Sequence, residues 1–514
     1  MKKLTPVFII SVIIAAVFIV WGVIPESVLG SAALTPVTSA IHSFIIEKFG
    51  WYYLLAATLF LVFTLYLIFS KYGNIKLGKP DEKPQYGYVS WFAMLFSAGM
   101  GIGLVFWGVS EPINHFHTPP SGEGGTAESA RAALRYSFFH WGLHPWAIYS
   151  VLALALAYFQ FRKGYPFIIS NILRPLLGKR VDGPLGTTIN VIAVFATVFG
   201  VATSLGLGAI QITGGASYLS PSIDNNFTTQ LIVIIIVTFL FMLSAQTGLN
   251  KGIKYLSNIN IVLAILLMLF LLFAGPTNFI MDLFVTTIGS YIQNLPSMSF
   301  RLSPFDNSTW VQDWTIFYWA WWIAWAPFVG TFIARISRGR TIREFLIGVL
   351  AVPTVFGGLW FAVFGGSGVY LDFFKDLPVM DVINNKGTEV ALFYVLEQFP
   401  FGTFMSIVAI CLIATFFITS ADSATFVLGM QTTNGDLNPS GSIKLTWGLI
   451  QSLTAIILLW TGGLDALQTA AIIAALPFSI VLVLTVFSLM KAFKEEAALK
   501  KEKNLCNIKK GLLI

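Results

Sequence analysis

Apolar runs of about 20 residues, the length a helix needs to cross roughly 30 Å of hydrocarbon, recur along the whole chain and leave few folds open to it. They fall near 7–24, 51–70, 88–110, 133–160, 188–214, 229–247, 253–275, 313–335, 344–366, 401–430, 445–462 and 467–490, and they predict twelve transmembrane helices. Only 11% of the residues are charged, against about 25% in soluble domains, so the chain reads as an integral membrane protein. Charge asymmetry supplies the orientation. With the N-terminus inside, segments 2–3, 71–83, 162–180, 251–254, 335–343, 444 and 491–510 share one side and hold all but six of the 31 Lys and Arg residues. Basic loops stay cytoplasmic, so both ends are expected in the cytoplasm and the protein in the plasma membrane. The net charge of +7 is spread over short loops and a tail, which points to no nucleic-acid partner.

Lys2 and Lys3 precede an apolar run that superficially resembles a signal peptide, but the run ends in Ile24-Pro25-Glu26 without a small-residue cleavage site. It is expected to be a retained first span. Cys411 and Cys506 stand alone and suggest neither a disulfide framework nor a metal site. Two outer connections are long. Residues 276–312 contain an amphipathic piece from Phe279 to Ile292, expected to lie on the outer surface as an interfacial helix. Residues 367–400 carry Asp372, Asp376, Asp381 and Glu389, with a helical segment at 388–398 that fits an outer flap. The tail, 491–514, holds seven lysines; it sets topology and would also meet anionic membrane lipid.

The densest motif lies at 313–343. Trp314, Trp319, Trp321, Trp322 and Trp325 fall there together with Phe317, Tyr318 and Phe328. Interfacial tryptophans sit at the membrane surface, which suits Trp314. Trp321, Trp322 and Trp325 lie about 10–17 Å deeper along a helix, where an indole N–H needs a partner. They predict an internal aromatic site. Glycines at 99, 101 and 103 interrupt the third span; close helix packing is one reading, and an unwound segment with free amides and carbonyls is the sharper one. The fourth span opens with His140, Trp141, His144, Pro145, Trp146 and Tyr149. Its aromatics share one helix face and Pro145 is expected to bend it. The i,i+4 histidines have no acid or cysteine beside them, which argues against zinc. The tenth span carries Phe416, Thr419, Ser420 and Asp422; hydroxyls there either bond back one turn or serve a small hard cation. Asp422 reads as the one acid clearly inside a span, with Arg335 as a plausible partner. The apolar spans contain no catalytic triad, zinc-protease motif or nucleotide loop, so an enzyme is not expected.

In the run Asp313-Trp-Thr-Ile-Phe-Tyr-Trp-Ala-Trp-Trp322, with Ala334-Arg-Ile-Ser-Arg-Gly-Arg340 behind it, the chain resembles the betaine/choline/carnitine transporter family, most closely its sodium-coupled glycine betaine carriers. The resemblance implies an all-α fold of two inverted five-helix repeats, 88–275 and 313–490. Two extra helices in 1–87 would precede them, 276–312 would join them, and the tail would follow. It implies a homotrimer that imports glycine betaine with sodium as coupling ion and no cofactor, for osmoprotection. Carried over by position, the aromatic box would be Trp141, Trp146, Tyr149 and Trp322, flanked by Phe317, Trp321 and Trp325. Gly99, Met100, Gly101 and Gly103 would complete the substrate site. Sodium would meet backbone oxygens near Ser97, Met100 and Phe416 and the hydroxyls of Thr419 and Ser420. Gly103 stands where choline carriers have an aspartate, which favours a zwitterion that brings its own negative charge. Thr197 matches one hydroxyl of a second sodium site, but Val201 supplies no other. The fifth span holds no basic residue in place of an ion, which favours ion coupling over exchange. The same scaffold coupled to protons, or exchanging choline- or carnitine-type amines, is the alternative.

Overall fold

The computed structural model describes residues 4–99, 101–247, 252–305 and 308–511. Among them the chain is helical throughout, with one isolated antiparallel bridge between Lys76 and Thr341. Ten helical segments among the described residues are long and apolar enough to cross a membrane, where twelve spans are expected, and the difference arises at two places. The expected third span is two helices, Tyr88–Gly99 and Ile102–His117, separated at an extended Gly101. The expected eleventh and twelfth spans run as one stretch, Gly441–Gly511, broken at Gly462 and Gly463. Gly463 has φ 58°, a left-handed conformation that glycine adopts without strain.

The fourth expected span is also divided, but not where proline predicts. Ala127–Trp141 ends and Leu143–Ala157 begins across Gly142. Pro145 falls in the first turn of the second helix, where a missing N–H costs no helical hydrogen bond. Gly142 packs too closely for a side chain: a Cβ there would stand 2.4 Å from the Phe138 carbonyl oxygen. The helix expected on the outer surface spans Thr277–Ser299 and buries one stripe, Ile280, Thr287, Tyr291 and Met298. Tyr291 hydroxyl accepts from the Leu143 amide at 3.0 Å, which fixes the restart of the divided span.

At one end of the bundle the basic loops meet. Leu77 amide donates to Arg340 carbonyl, and Gly339 amide returns a bond to Leu77 carbonyl, both at 2.8 Å. Gly339 has φ 84°, and a Cβ there would stand 2.4 Å from Lys83 carbonyl oxygen. Arg162 joins the same end, donating to Gly78 carbonyl at 2.9 Å and pairing with Glu496 on the last helix at 2.5 Å. Thr5 donates to Thr432 carbonyl at 2.6 Å. The loops that the charge pattern groups together thus touch one another.

Arg340, 1% exposed, closes this clasp. Its guanidinium lies 3.9 Å from the Trp91 ring centroid and donates to Tyr86 carbonyl at 2.8 Å. A buried cation–π contact and a charged hydrogen bond together contribute about 2–4 kcal/mol. Arg340→Ala should therefore lower the melting temperature of the solubilised protein by several degrees. Arg340→Lys should restore little, because an ammonium cannot lie flat on an indole. Full rescue by lysine would show that charge alone holds the clasp.

Candidate binding cavity

The break at Gly101 opens one wall of a cavity of about 60 Å³. Gly101, Ile102 and Gly103 form that wall; Trp141, Pro145, Trp146 and Tyr149 form a second; Trp321, Trp322 and Trp325 a third. Leu104, Ser204, Pro353, Phe356 and Gly357 complete the lining. Trp141 meets Trp322 edge-to-face at 4.8 Å between centroids, Tyr149 meets Trp322 at 6.2 Å, and Trp146 meets Tyr149 at 5.5 Å. Trp321 stacks on Trp322 at 4.8 Å. Phe317 stacks on Trp321 at 5.6 Å and stands outside the lining. The glycine at 103 is sterically required: a Cβ would come to 2.4 Å from Trp321 and 3.1 Å from Trp141.

The wall at 101–103 is also polar. A helix leaves its first amides without intrahelical acceptors, and here these belong to Ile102 and Gly103. Two further polar atoms nearby, Ser204 Oγ and Trp321 Nε1, are buried without a partner among the described residues. Ser204 was not singled out by sequence; a serine among the small residues of an apolar helix carries no signal of its own. Other indoles are anchored. Trp322 Nε1 donates to His140 carbonyl at 3.0 Å, Trp325 Nε1 to Gly200 carbonyl at 2.5 Å. Trp360 Nε1 donates to Leu104 carbonyl at 2.9 Å, tying the helix Ile342–Lys375 to the broken one.

Beside the cavity lies an acid that sequence reasoning missed. Glu111, fully buried in Ile102–His117, corrects the expectation that Asp422 is the one acid within a span. Its Oε2 accepts from Trp141 Nε1 at 2.7 Å and Tyr318 hydroxyl at 2.6 Å. Its Oε1 faces His140 Nδ1 at 2.8 Å and His115 Nε2 at 3.2 Å. With those nitrogens protonated, His140 Nε2 accepts from Thr315 hydroxyl at 3.0 Å. His140 therefore has an acid companion after all, contrary to the sequence expectation. Glu111, His115 and His140 offer ligand atoms within 4.8 Å of one another, a set that could hold a metal ion. The same atoms are already used in hydrogen bonds to the carboxylate. His144 is not part of the set: it stacks on Trp319 at 5.0 Å and meets Ser299 Oγ at 3.2 Å.

The residues expected around a cation are placed in part. Met100 lies outside the described residues, and Ser97 and Gly99 fall in the last turn of Tyr88–Gly99. Thr419 hydroxyl bonds back to Thr415 carbonyl at 2.9 Å and Phe416 carbonyl at 3.2 Å, and accepts from Asn260 Nδ2 at 3.0 Å. Asn260 Oδ1 is buried without a partner among the described residues, an oxygen beside Thr419 that sequence reasoning did not name. Ser420 is half-buried in the next position. The 416–420 turn lies against the helix restart, since a Cβ on Gly208 would meet Ile102 at 2.9 Å and Phe417 at 3.0 Å. Thr197 donates to Ala193 carbonyl at 2.7 Å. Asp422 does not take Arg335 as its partner: it accepts from Ser244 hydroxyl at 2.6 Å, while the Arg335 guanidinium lies 5.3 Å from the Phe426 ring centroid.

A helical bundle with a broken helix beside an aromatic cavity is the arrangement of a multi-pass membrane transporter. Residues 6–498 match the betaine/carnitine/choline family transporter (BCCT) description, and the chain belongs to that family. It is 58% identical over 512 residues to the glycine betaine transporter OpuD of Bacillus subtilis, covering 98% of each chain. It is 44% identical over 499 residues to a probable glycine betaine transporter of Desulfitobacterium hafniense, covering 96% of this chain and 98% of that one. It is also 44% identical over 485 residues to an ectoine/hydroxyectoine transporter of Virgibacillus pantothenticus, covering 94% and 95%. Among solved structures, a Na+-coupled sialic acid symporter in a substrate-bound outward-open state matches with TM-score 0.51 at 15% identity. That match covers 85% of this chain and 86% of the symporter and carries the fold alone. The family and the relatives are transporters, not enzymes.

Proposed function

We propose that this protein imports glycine betaine, or a closely related quaternary-ammonium zwitterion, by sodium symport across the plasma membrane, with both termini in the cytoplasm. The observation that carries the reading is the set of rings around one cavity whose remaining wall is a helix N-terminus. A trimethylammonium group has no N–H to donate, so it is held by dispersion and cation–π attraction, about 0.5–2 kcal/mol per ring. Trp141, Trp146, Tyr149 and Trp322 supply the rings. The carboxylate end needs donors, and the first amides of Ile102–His117 with Ser204 hydroxyl supply them, aided by the positive end of the helix dipole. The names of the relatives from Bacillus subtilis and Desulfitobacterium hafniense agree with this substrate.

Sodium is assigned to the oxygens around 416–420, with Asn260 Oδ1 as an added ligand. Hard cations take oxygen ligands, and the neighbouring helix restart links that place to the substrate wall. Coupling is a shared free energy between two sites and is reciprocal. One observation favours a second reading, proton coupling: the carboxylate of Glu111 and two imidazoles lie in contact with the box.

Two outcomes are expected. Trp322→Leu should weaken betaine binding by about ten- to hundredfold, roughly 1.4–2.8 kcal/mol, without loss of protein from the membrane. Unchanged affinity in the purified variant would remove Trp322 from the site. Replacing Thr419 and Ser420 together by alanine should lower sodium affinity sharply and betaine affinity with it at fixed sodium. Saturating sodium should restore betaine binding, because the rings are untouched. Tryptophan fluorescence titrations at several sodium concentrations read both effects, and wild-type sodium dependence in the double variant would move the ion elsewhere.

A further inference from the structure

Glu111 does not line the cavity itself, yet it bonds to one of its rings and reaches a second. Trp141 spans the gap: its Nε1–H donates to Glu111 Oε2 at 2.7 Å, while its opposite edge, Cη2, lies 3.1 Å from where a Gly103 Cβ would stand in the cavity wall. Trp322 is reached at one remove. Its Nε1–H is held by the carbonyl of His140, whose ring bonds to Glu111 Oε1 at 2.8 Å. Tyr318, stacked on Trp322 at 5.8 Å between centroids, donates its hydroxyl to Glu111 Oε2 at 2.6 Å.

We propose that Glu111 is the positioning residue of the quaternary-ammonium site: its carboxylate fixes Trp141 and Trp322 and enriches the Trp141 ring face with negative charge. This rests on the reading that the cavity takes a quaternary ammonium. Four donors converge on Glu111, two of them on Oε2 and two on Oε1. Such a setting asks for a group that only accepts, which an ionised carboxylate is and an amide is not. A charge-assisted hydrogen bond from an indole N–H polarises the ring. Cation–π attraction depends on the negative ring face, so the bond strengthens the contact with a cation and leaves the contact with a neutral group of the same shape unchanged. Gly103 leaves no room for a carboxylate in the wall itself. Glu111 supplies negative charge from behind the ring instead, and the cavity keeps its volume.

The test compares glycine betaine with 3,3-dimethylbutanoate, which replaces the ammonium nitrogen by carbon and keeps the shape and the carboxylate. Binding of each is measured on the full-length protein in lipid nanodiscs at saturating sodium, by tryptophan fluorescence. Wild type should prefer betaine. Glu111→Gln should weaken betaine about tenfold and the carbon analogue less than about threefold, so the preference shrinks. Glu111→Asp keeps the charge but withdraws the carboxylate from its donors; it should weaken both ligands and keep the preference. A Glu111→Gln protein that weakens both ligands alike, or neither, overturns the proposal and leaves Glu111 a packing element. Should that variant fail to fold, Trp141→Phe removes the N–H together with one ring of the indole and keeps an aromatic face, and a wild-type preference in it overturns the proposal as well. A wild type that binds both ligands equally removes the quaternary-ammonium reading itself, and the proposal with it.

Discussion

A carboxylate buried among membrane helices must be paired, because an isolated charge there costs many kcal/mol. Glu111 meets that demand with donors from three helices: its own, through His115; Ala127–Trp141, through His140 and Trp141; and Phe317–Ile336, through Tyr318. The requirement to satisfy one acid therefore fixes how these helices stand relative to one another. The cavity is a consequence of that registration. Two of its rings are set by these hydrogen bonds, and its glycine wall is the opposite end of the helix that carries the acid.

The same accounting governs the other indoles. Trp322, Trp325 and Trp360 each donate to a backbone carbonyl on another helix, so each ring acts as a cross-brace. Close backbone approach makes this possible: a Cβ on Gly200 would stand 2.9 Å from the Ala324 backbone, and one on Gly108 would stand 2.8 Å from Trp360 Nε1. Trp321, beside the cavity, is an exception. Its N–H has no partner among the described residues, which makes it, with Ser204, a polar group still available to a ligand.

Local signals in the chain announced local features well. Of the deep tryptophans of 313–343, Trp321 and Trp322 are buried and Trp325 partly so, all three line the cavity, and the glycines at 99–103 mark a real helix break. The Arg-Ile-Ser-Arg-Gly-Arg segment, noted only as a motif, turns out to build the clasp around Arg340. What local signals could not show was partnership across distance. Glu111 lies one residue beyond the apolar run expected to end at 110, and three of its four partners, His140, Trp141 and Tyr318, are 29 to 207 residues away. Asn260 and Ser204 are uncharged polar residues in apolar helices, meaningful only beside Thr419 and the cavity. Pro145 misled for a related reason: a proline bends a helix only if its position is interior, and the break at Gly142 made it a first-turn residue.

Sodium-driven uptake of a zwitterion is what the arrangement of rings, amides and oxygens is proposed to achieve. The most direct measurement is uptake of labelled glycine betaine into proteoliposomes, with an inward sodium gradient and an inward proton gradient imposed separately. Accumulation above the outside concentration with the sodium gradient alone, and none with the proton gradient alone, is the expected result. Accumulation driven by protons without sodium would contradict it and would turn attention from the 416–420 oxygens to Glu111 and its two histidines.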